Sequence, residues 1–302
     1  ARRILTVSAE SKEEFDEIVA AIYGSTYQDH LIVQEYIPGD SVVQATSFAM
    51  EYAVGDWGVA AVAKKLGKME DHAEYAKRAS YYKHYFDQSI NFVRPKMSDG
   101  SWLTPYDPAR SVHGGKGSYF CEGNGWQYTF FVPQDVYGLI NLFGGDKPFL
   151  ERLNQFFVNN DSMGEEASAD ITGLIGQYAH GNEPSHHIIY LYTIAGRRDK
   201  TAKLAKEICE TLYKATPEGI CGNEDGGQMS AWYIFSMMGF YPVNPCGGEY
   251  IFDAKVNDFI IEKDYKDEIS KPIFLIAGNL HRNKGQNIAL KAAKILMDRG
   301  MT

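Results

Sequence analysis

The chain has 302 residues, of which 44% are apolar and 23% charged, a globular composition with length for roughly two domains. Thirty Lys and Arg against 39 Asp and Glu give a net charge of −9, which repels a phosphate backbone and argues against nucleic acid as a partner. No run approaches the roughly 18 apolar residues of a membrane span, and the first residues, ARRILTVSAESKEEF, lack the apolar stretch of a signal peptide. No membrane span and no export address are therefore expected in this chain, and the compartment stays open.

Residues 1–41 read as a short α/β piece. SKEEFDEIVAAIYG opens with a serine cap and places Phe15, Ile18 and Ile22 on one helical face, and HLIVQEYIPGD is an apolar strand closed by Pro-Gly. From about residue 45 helical spacing takes over, with segments predicted at 47–66, 70–87, 133–143, 147–159, 167–178, 185–196, 200–213 and 228–239. Paired, they read as helical hairpins, one turning at Gly67-Lys68 and another at Gly196-Arg197-Arg198. The predicted fold class is mainly α, a partial (α/α)6 toroid of helical hairpins flanked by short α/β fragments. After residue 250, KPIFLIAGN reads as a buried strand and KGQNIALKAAKILMDRG as an amphipathic helix ending in glycine. The implied domains are 1–41, 42–253 and 254–302.

Forty aromatic residues make up 13% of the chain, and all four tryptophans fall between Trp57 and Trp232. Cys121, Cys209, Cys221 and Cys246 have no metal-ligand spacing and are too few for a disulfide scaffold.

Three loop sequences carry residues that a helical core does not need. In FCEGNGWQYTFFVPQD, Glu122 stands in a glycine-rich loop beside Trp126 and Tyr128, where apolar neighbours would favour a protonated carboxyl suited to general acid work. In isolation a capping glutamate is the commoner reading. In AHGNEPSHH, Asn182 and Glu183 offer hard oxygen ligands and His186-His187 nitrogen ones, although Asn182-Glu183-Pro184-Ser185 also reads as a plain helix start. In GICGNEDGGQMSAWYIF, Glu224 and Asp225 lie between glycines before the Trp232 helix, where the helix dipole alone would favour acids. In a toroid these loops would gather at one face.

EYAVGDWGVA, DGSWLTPYDP, EGNGWQYTFFVPQD, HGNEPSHHIIYLY and GNEDGGQMSAWYIFSMMGFYPVNP stand in the order found in glycoside hydrolase family 92, the calcium-dependent exo-α-mannosidases, which residues 45–253 resemble. The resemblance implies inverting hydrolysis of terminal mannose from a mannose-containing glycan. Glu122 matches the general acid and Asp225 the general base, an inverting pair standing about 6.5–9.5 Å apart to admit a water. It implies calcium as cofactor, held around Asn182 and Glu183, where the ion would bind sugar hydroxyls. It places Trp57, Asp56, Trp126, His180 and Glu224 against substrate, with His180 tuning linkage preference. The family usually has two consecutive acids before the tryptophan matching Trp57, and the first is Gly55 here; Asn223 stands where some members have Asp.

The flanks resemble other families. Residues 1–41, with Glu35, look like the hinge segment of an ATP-grasp ligase, and 269–302 look like the start of a family 4 glycosyltransferase's nucleotide-binding half, with Lys284 at a diphosphate-binding position and Asn279 where arginine is usual. The whole reads as a chimera whose mannosidase part is truncated. Impaired turnover and self-association through exposed helical faces are expected, and a catalytically inactive carbohydrate-binding or structural chimera is the alternative.

Overall fold

The computed structural model describes residues 45–253 apart from 98, 115 and 116. The flanking α/β fragments, with Glu35, Asn279 and Lys284, lie outside the described residues. What is described is mainly helical. Helix α1 is Ala45–Lys65, α2 is Met69–Ala79, α3 is Gly125–Thr129, α4 is Val136–Leu142, α5 is Asp146–Phe156, α6 is Leu191–Ile194, α7 is Arg198–Thr211 and α8 is Gln228–Met238. Strands of two residues form three antiparallel pairs: β1 (Phe86–Asp87) with β2 (Phe92–Val93), β3 (Leu174–Ile175) with β4 (Tyr178–Ala179), and β5 (Phe240–Tyr241) with β6 (Ile251–Phe252).

The first hairpin follows the expected turn. Small buried residues of α1, among them Ala53, Ala60 and Ala63, allow α2 to approach closely, and the His72 ring bonds the Ala60 carbonyl at 2.9 Å. Helix α2 stops at Ala79, so the helix predicted over 70–87 is corrected. Tyr81–Tyr85 tightens into a 3₁₀ turn whose Tyr82 is buried with its hydroxyl on Asp135 at 2.7 Å, and the chain then enters β1.

A second correction concerns 167–178, predicted helical and found as the β3–β4 hairpin. Gly176 sits at φ +59 with its Cα against the Phe156–Phe157 backbone, where an added Cβ would stand 2.5 Å from the Phe157 carbonyl carbon. That left-handed turn is incompatible with a helix. The 185–196 segment is likewise two 3₁₀ turns, Glu183–Ser185 and Ile188–Tyr190, leading into the short α6. Ile188 to Tyr192 are buried at five consecutive positions, which removes the one-sided pressure that makes an amphipathic helix.

The core is aromatic. The Phe130 ring packs on Phe143, Phe149 and Phe156 with centroids 5.2–6.1 Å apart, and Trp232 is fully buried between His180 and Tyr213. It connects α3, α5, β4 and α8, and so places the loops that follow Phe120, Ala179 and Cys221 against a common body.

Candidate active site

The Glu122 loop is shaped by side chains brought from elsewhere. Glu122 itself is at φ +49, a left-handed conformation uncommon outside glycine. The Cys121 N–H donates to Ser47 Oγ at 2.8 Å, and the Cys121 carbonyl accepts from the Tyr128 hydroxyl at 2.9 Å. The Glu122 carbonyl accepts from Asn182 Nδ2 at 2.8 Å and the Gly123 carbonyl from Ser111 Oγ at 2.8 Å. Asn124 then begins α3 with a capping box, its side chain taking the Gln127 N–H while Gln127 Oε1 takes the Asn124 N–H. Behind the cap runs a buried amide network in which Asn124 Nδ2 donates to Gln177 Oε1 at 2.8 Å and Gln127 Nε2 to the Gln177 carbonyl at 3.0 Å.

Asn182 has a partner that neither reading of its motif supplied. It does begin a 3₁₀ helix with Pro184 in the first turn, but it makes no side-chain cap, and its amide crosses to the Glu122 loop instead. The third loop touches the same place. Gly222 lies on the Gly181 backbone so closely that a Cβ there would stand 2.2 Å from the Gly181 carbonyl oxygen. Gly226 and Gly227 follow Asp225 at φ +63 and +81, and Glu224 turns back to cap α8, accepting from the Ser230 N–H at 3.1 Å and from the Ser230 hydroxyl. The loops bearing Glu122, Asn182 with Glu183, and Glu224 with Asp225 are therefore contiguous.

The remaining predicted site residues take less open positions. Asp56 is fully buried and meets Arg78 at two points, 2.9 and 3.0 Å, tying α1 to α2. Trp57 beside it is partly exposed. Trp126 is 5% exposed, edge-on to Phe92 and packed near Phe156, with Arg152 lying over its ring. His180 is fully buried with Nδ1 2.8 Å from the Tyr178 hydroxyl and Nε2 2.7 Å from the Tyr213 hydroxyl. Burial holds its pKa well below the usual histidine value, so the ring is neutral, with one N–H and one acceptor. Tyr213 donates to the Met229 carbonyl at 3.0 Å, so it accepts from His180 Nε2–H, and Tyr178 donates to Nδ1.

The sequence did not single out Asp170, Glu51 or Ser111. Burial pushes the Cys121 thiol up to about 11, with the charges of Glu122, Glu51 and Asp170 adding to it. Asp170 also accepts from Asn223 of the third loop at 3.2 Å. Its segment read as helix, and that hid it. Among the described residues no three His, Cys, Asp or Glu side chains group to hold a metal ion. The rings of His180 and His186 and Nε2 of His187 are engaged with protein partners. The donors that fit a cation are oxygens: with Nδ2 of Asn182 turned to Glu122, its Oδ1 occupies the opposite prong, next to Glu183 in the chain. That is hard-ligand chemistry, which suits calcium.

The sequence profile described as the glycosyl hydrolase family 92 catalytic domain matches residues 5–260. The chain belongs to that family. The match extends on both sides beyond the described helical region. An uncharacterized secreted glycosidase of Arthroderma benhamiae is 30% identical over 233 residues, 70% of this chain and 27% of that protein. A family GH92 α-mannosidase of Bacteroides thetaiotaomicron, solved with mannoimidazole, superposes with a TM-score of 0.73 at 36% identity, covering 80% of this chain and 32% of that one. A family GH92 inverting mannosidase of the same organism gives a TM-score of 0.61 at 34% identity, covering 74% and 31%. This family 92 chain thus spans about a third of the solved relatives' length.

Proposed function

We propose that the chain is part of an inverting exo-α-mannosidase that removes terminal mannose from glycans, with its helices forming part of an (α/α) toroid. The single observation that carries the reading is the junction of the three loops, through the Asn182 amide on Glu122 and Gly222 on Gly181. Glu122 donates its proton to the departing glycosidic oxygen as the bond from the anomeric carbon breaks. Asp225 takes a proton from the water that attacks that carbon from the opposite face, so mannose leaves with inverted configuration. The two left-handed glycines after Asp225 give the base room beside a sugar, and the cap by Glu224 fixes the start of that turn.

Asn182 Oδ1 and the Glu183 carboxylate would hold calcium, completed by other oxygens. When bound, the ion supplies Lewis-acid polarisation and a template for sugar hydroxyls. Trp57 lies toward substrate, and Asp56 with Arg78 fixes the helix that carries it. Trp126 and His180 act from within, Trp126 by anchoring α3, the helix that follows the Glu122 loop, in the aromatic core and His180 by anchoring the turn before Asn182.

The test is a comparison of leaving groups. Glu122→Gln should spare an activated aryl mannoside relative to a mannose disaccharide, because a good leaving group needs no proton, and Asp225→Asn should abolish both. Equal, small losses in both variants would sink the assignment. Chelation with EGTA should lower activity, calcium should restore it, and restoration by zinc alone would overturn the choice of ion.

A further inference from the structure

A glutamate at φ +49 persists only where the surroundings over-determine it. Here two adjacent carbonyls, those of Glu122 and Gly123, are each held by a side chain from a different part of the fold: Asn182, 60 residues ahead, and Ser111, 12 residues before its partner. Ser111 is 2% exposed and Asn182 5%. The Ser111 bond is buried and the Asn182 bond partly so, and neither donor side chain has freedom to wander. Gly123 adds a steric limit, since a Cβ there would stand 2.9 Å from Gln127 Oε1 and from the Tyr128 ring.

We propose that Ser111 and Asn182 are positioning residues for Glu122, aiming its carboxylate by locking the left-handed turn through these two carbonyls. The inference rests on the reading of Glu122 as the general acid. Without the two donors, the turn is free to relax to the right-handed region, which swings the Cα–Cβ bond and takes the carboxyl off the leaving oxygen. Misplacement by about 1 Å can cost on the order of a hundredfold in rate. Asn182 thereby has two prongs with separate tasks: its nitrogen sets the acid, and its oxygen would hold the cation when one binds.

Two variants separate positioning from general stability. Ser111→Ala removes one donor and adds no charge. Asn182→Asp keeps an oxygen on the outer prong but sets a carboxylate against the Glu122 carbonyl. The full chain is assayed on two aryl α-mannosides, one with a good and one with a poor leaving group, and its melting temperature is recorded with and without calcium. Ser111→Ala should lose about tenfold on the poor leaving group and less than about twofold on the good one, with KM and the calcium-induced melting shift retained, and Asn182→Asp should lose more on the poor leaving group than on the good one. Equal losses on both substrates that track the melting temperature would overturn the inference, as would no loss on either. Where the parental chain turns over too slowly to compare, mannoimidazole affinity by calorimetry is read instead. Its ring nitrogen can accept the acid's proton, so both variants should bind it more weakly, and unchanged affinity would overturn the inference. Glu122→Gln, run alongside, separates the failures. If it shows neither leaving-group discrimination nor a loss of mannoimidazole binding, the acid assignment itself fails and the inference falls with it.

Discussion

The α1–α2 hairpin and the loop cluster around Glu122 are held together in opposite ways. In the hairpin, regular backbone hydrogen bonds satisfy the chain, small side chains set the helix separation, and a buried ion pair, Asp56 with Arg78, locks the crossing. Around Glu122 the backbone is irregular, and its polar groups are satisfied one by one by side chains of Ser47, Ser111, Gln127, Tyr128 and Asn182. A helical hairpin tolerates change wherever its apolar face survives. A loop built from side-chain bonds cannot lose a partner without leaving a buried group unsatisfied, which is how it can keep a strained residue in place.

The sharpest break in the hairpin should come from Arg78→Met, which leaves a buried carboxylate without its guanidinium. A loss of about 3–5 kcal/mol is expected in urea denaturation. The double variant Asp56→Leu with Arg78→Met should recover most of it, and a double variant no better than the single one would mean that the pair is not an isolated tie. In the loop region, Gly176→Ala forces a Cβ onto the Phe156–Phe157 backbone at positive φ, and a loss of at least about 2 kcal/mol is expected by the same measurement. A neutral result would show that the hairpin turn is not as described.

Stability should also depend on pH through the buried histidines. Burial lowers the pKa of His187 to about 4, and that of His186 likewise, against an ordinary value of 6.5. Between those values the unfolded chain binds protons that the folded one refuses, so stability is full above about pH 6.5 and falls as pH drops toward 4. The melting temperature measured across that window should decline, and His187→Gln, which keeps a donor for the Phe130 carbonyl, should flatten the slope. An unchanged slope would assign the decline to other groups.

The smallest effect should be a gain. Glu122→Gly removes the side chain that disfavours a left-handed backbone, and a net stabilisation of up to about 1 kcal/mol is expected after the greater entropy of unfolded glycine is counted. A destabilised Glu122→Gly would mean that the carboxyl itself contributes to holding the turn. Stabilisation accompanied by lost activity would mark a site where stability is surrendered to function.

The positions of α1, α4, α5, α7 and α8 were legible from apolar spacing, and the chemistry-bearing loops from the acids and glycines that spacing left over. Helical periodicity is a local property, repeated every 3.6 residues, so it can be read without knowing what lies across the fold. The motifs, taken in order, carried the family as well. What the periodicity could not carry was the length of α2, the β3–β4 hairpin and the 3₁₀ turns before α6. Each is decided by burial on several sides or by a close backbone approach, and neither leaves a periodic trace.

The sequence by itself determined that Glu122, Asn182 and Asp225 stand in polar, glycine-rich loops between helices. It also put oxygen donors, Asn182 and Glu183, rather than thiolates in the second of those loops. Only the tertiary structure decided that Asn182 reaches Glu122 across 60 residues, that Glu51 meets Tyr128 across 77, and that Asn124 meets Gln177 across 53. It likewise withdrew His180 and Trp126 into the core, because a ring that could line a sugar equally fills an aromatic interior. Which of the two occurs depends on neighbours distant in the chain. Side-chain type is written locally, but the partner of a buried polar group is whatever the packed core brings within 3 Å of it.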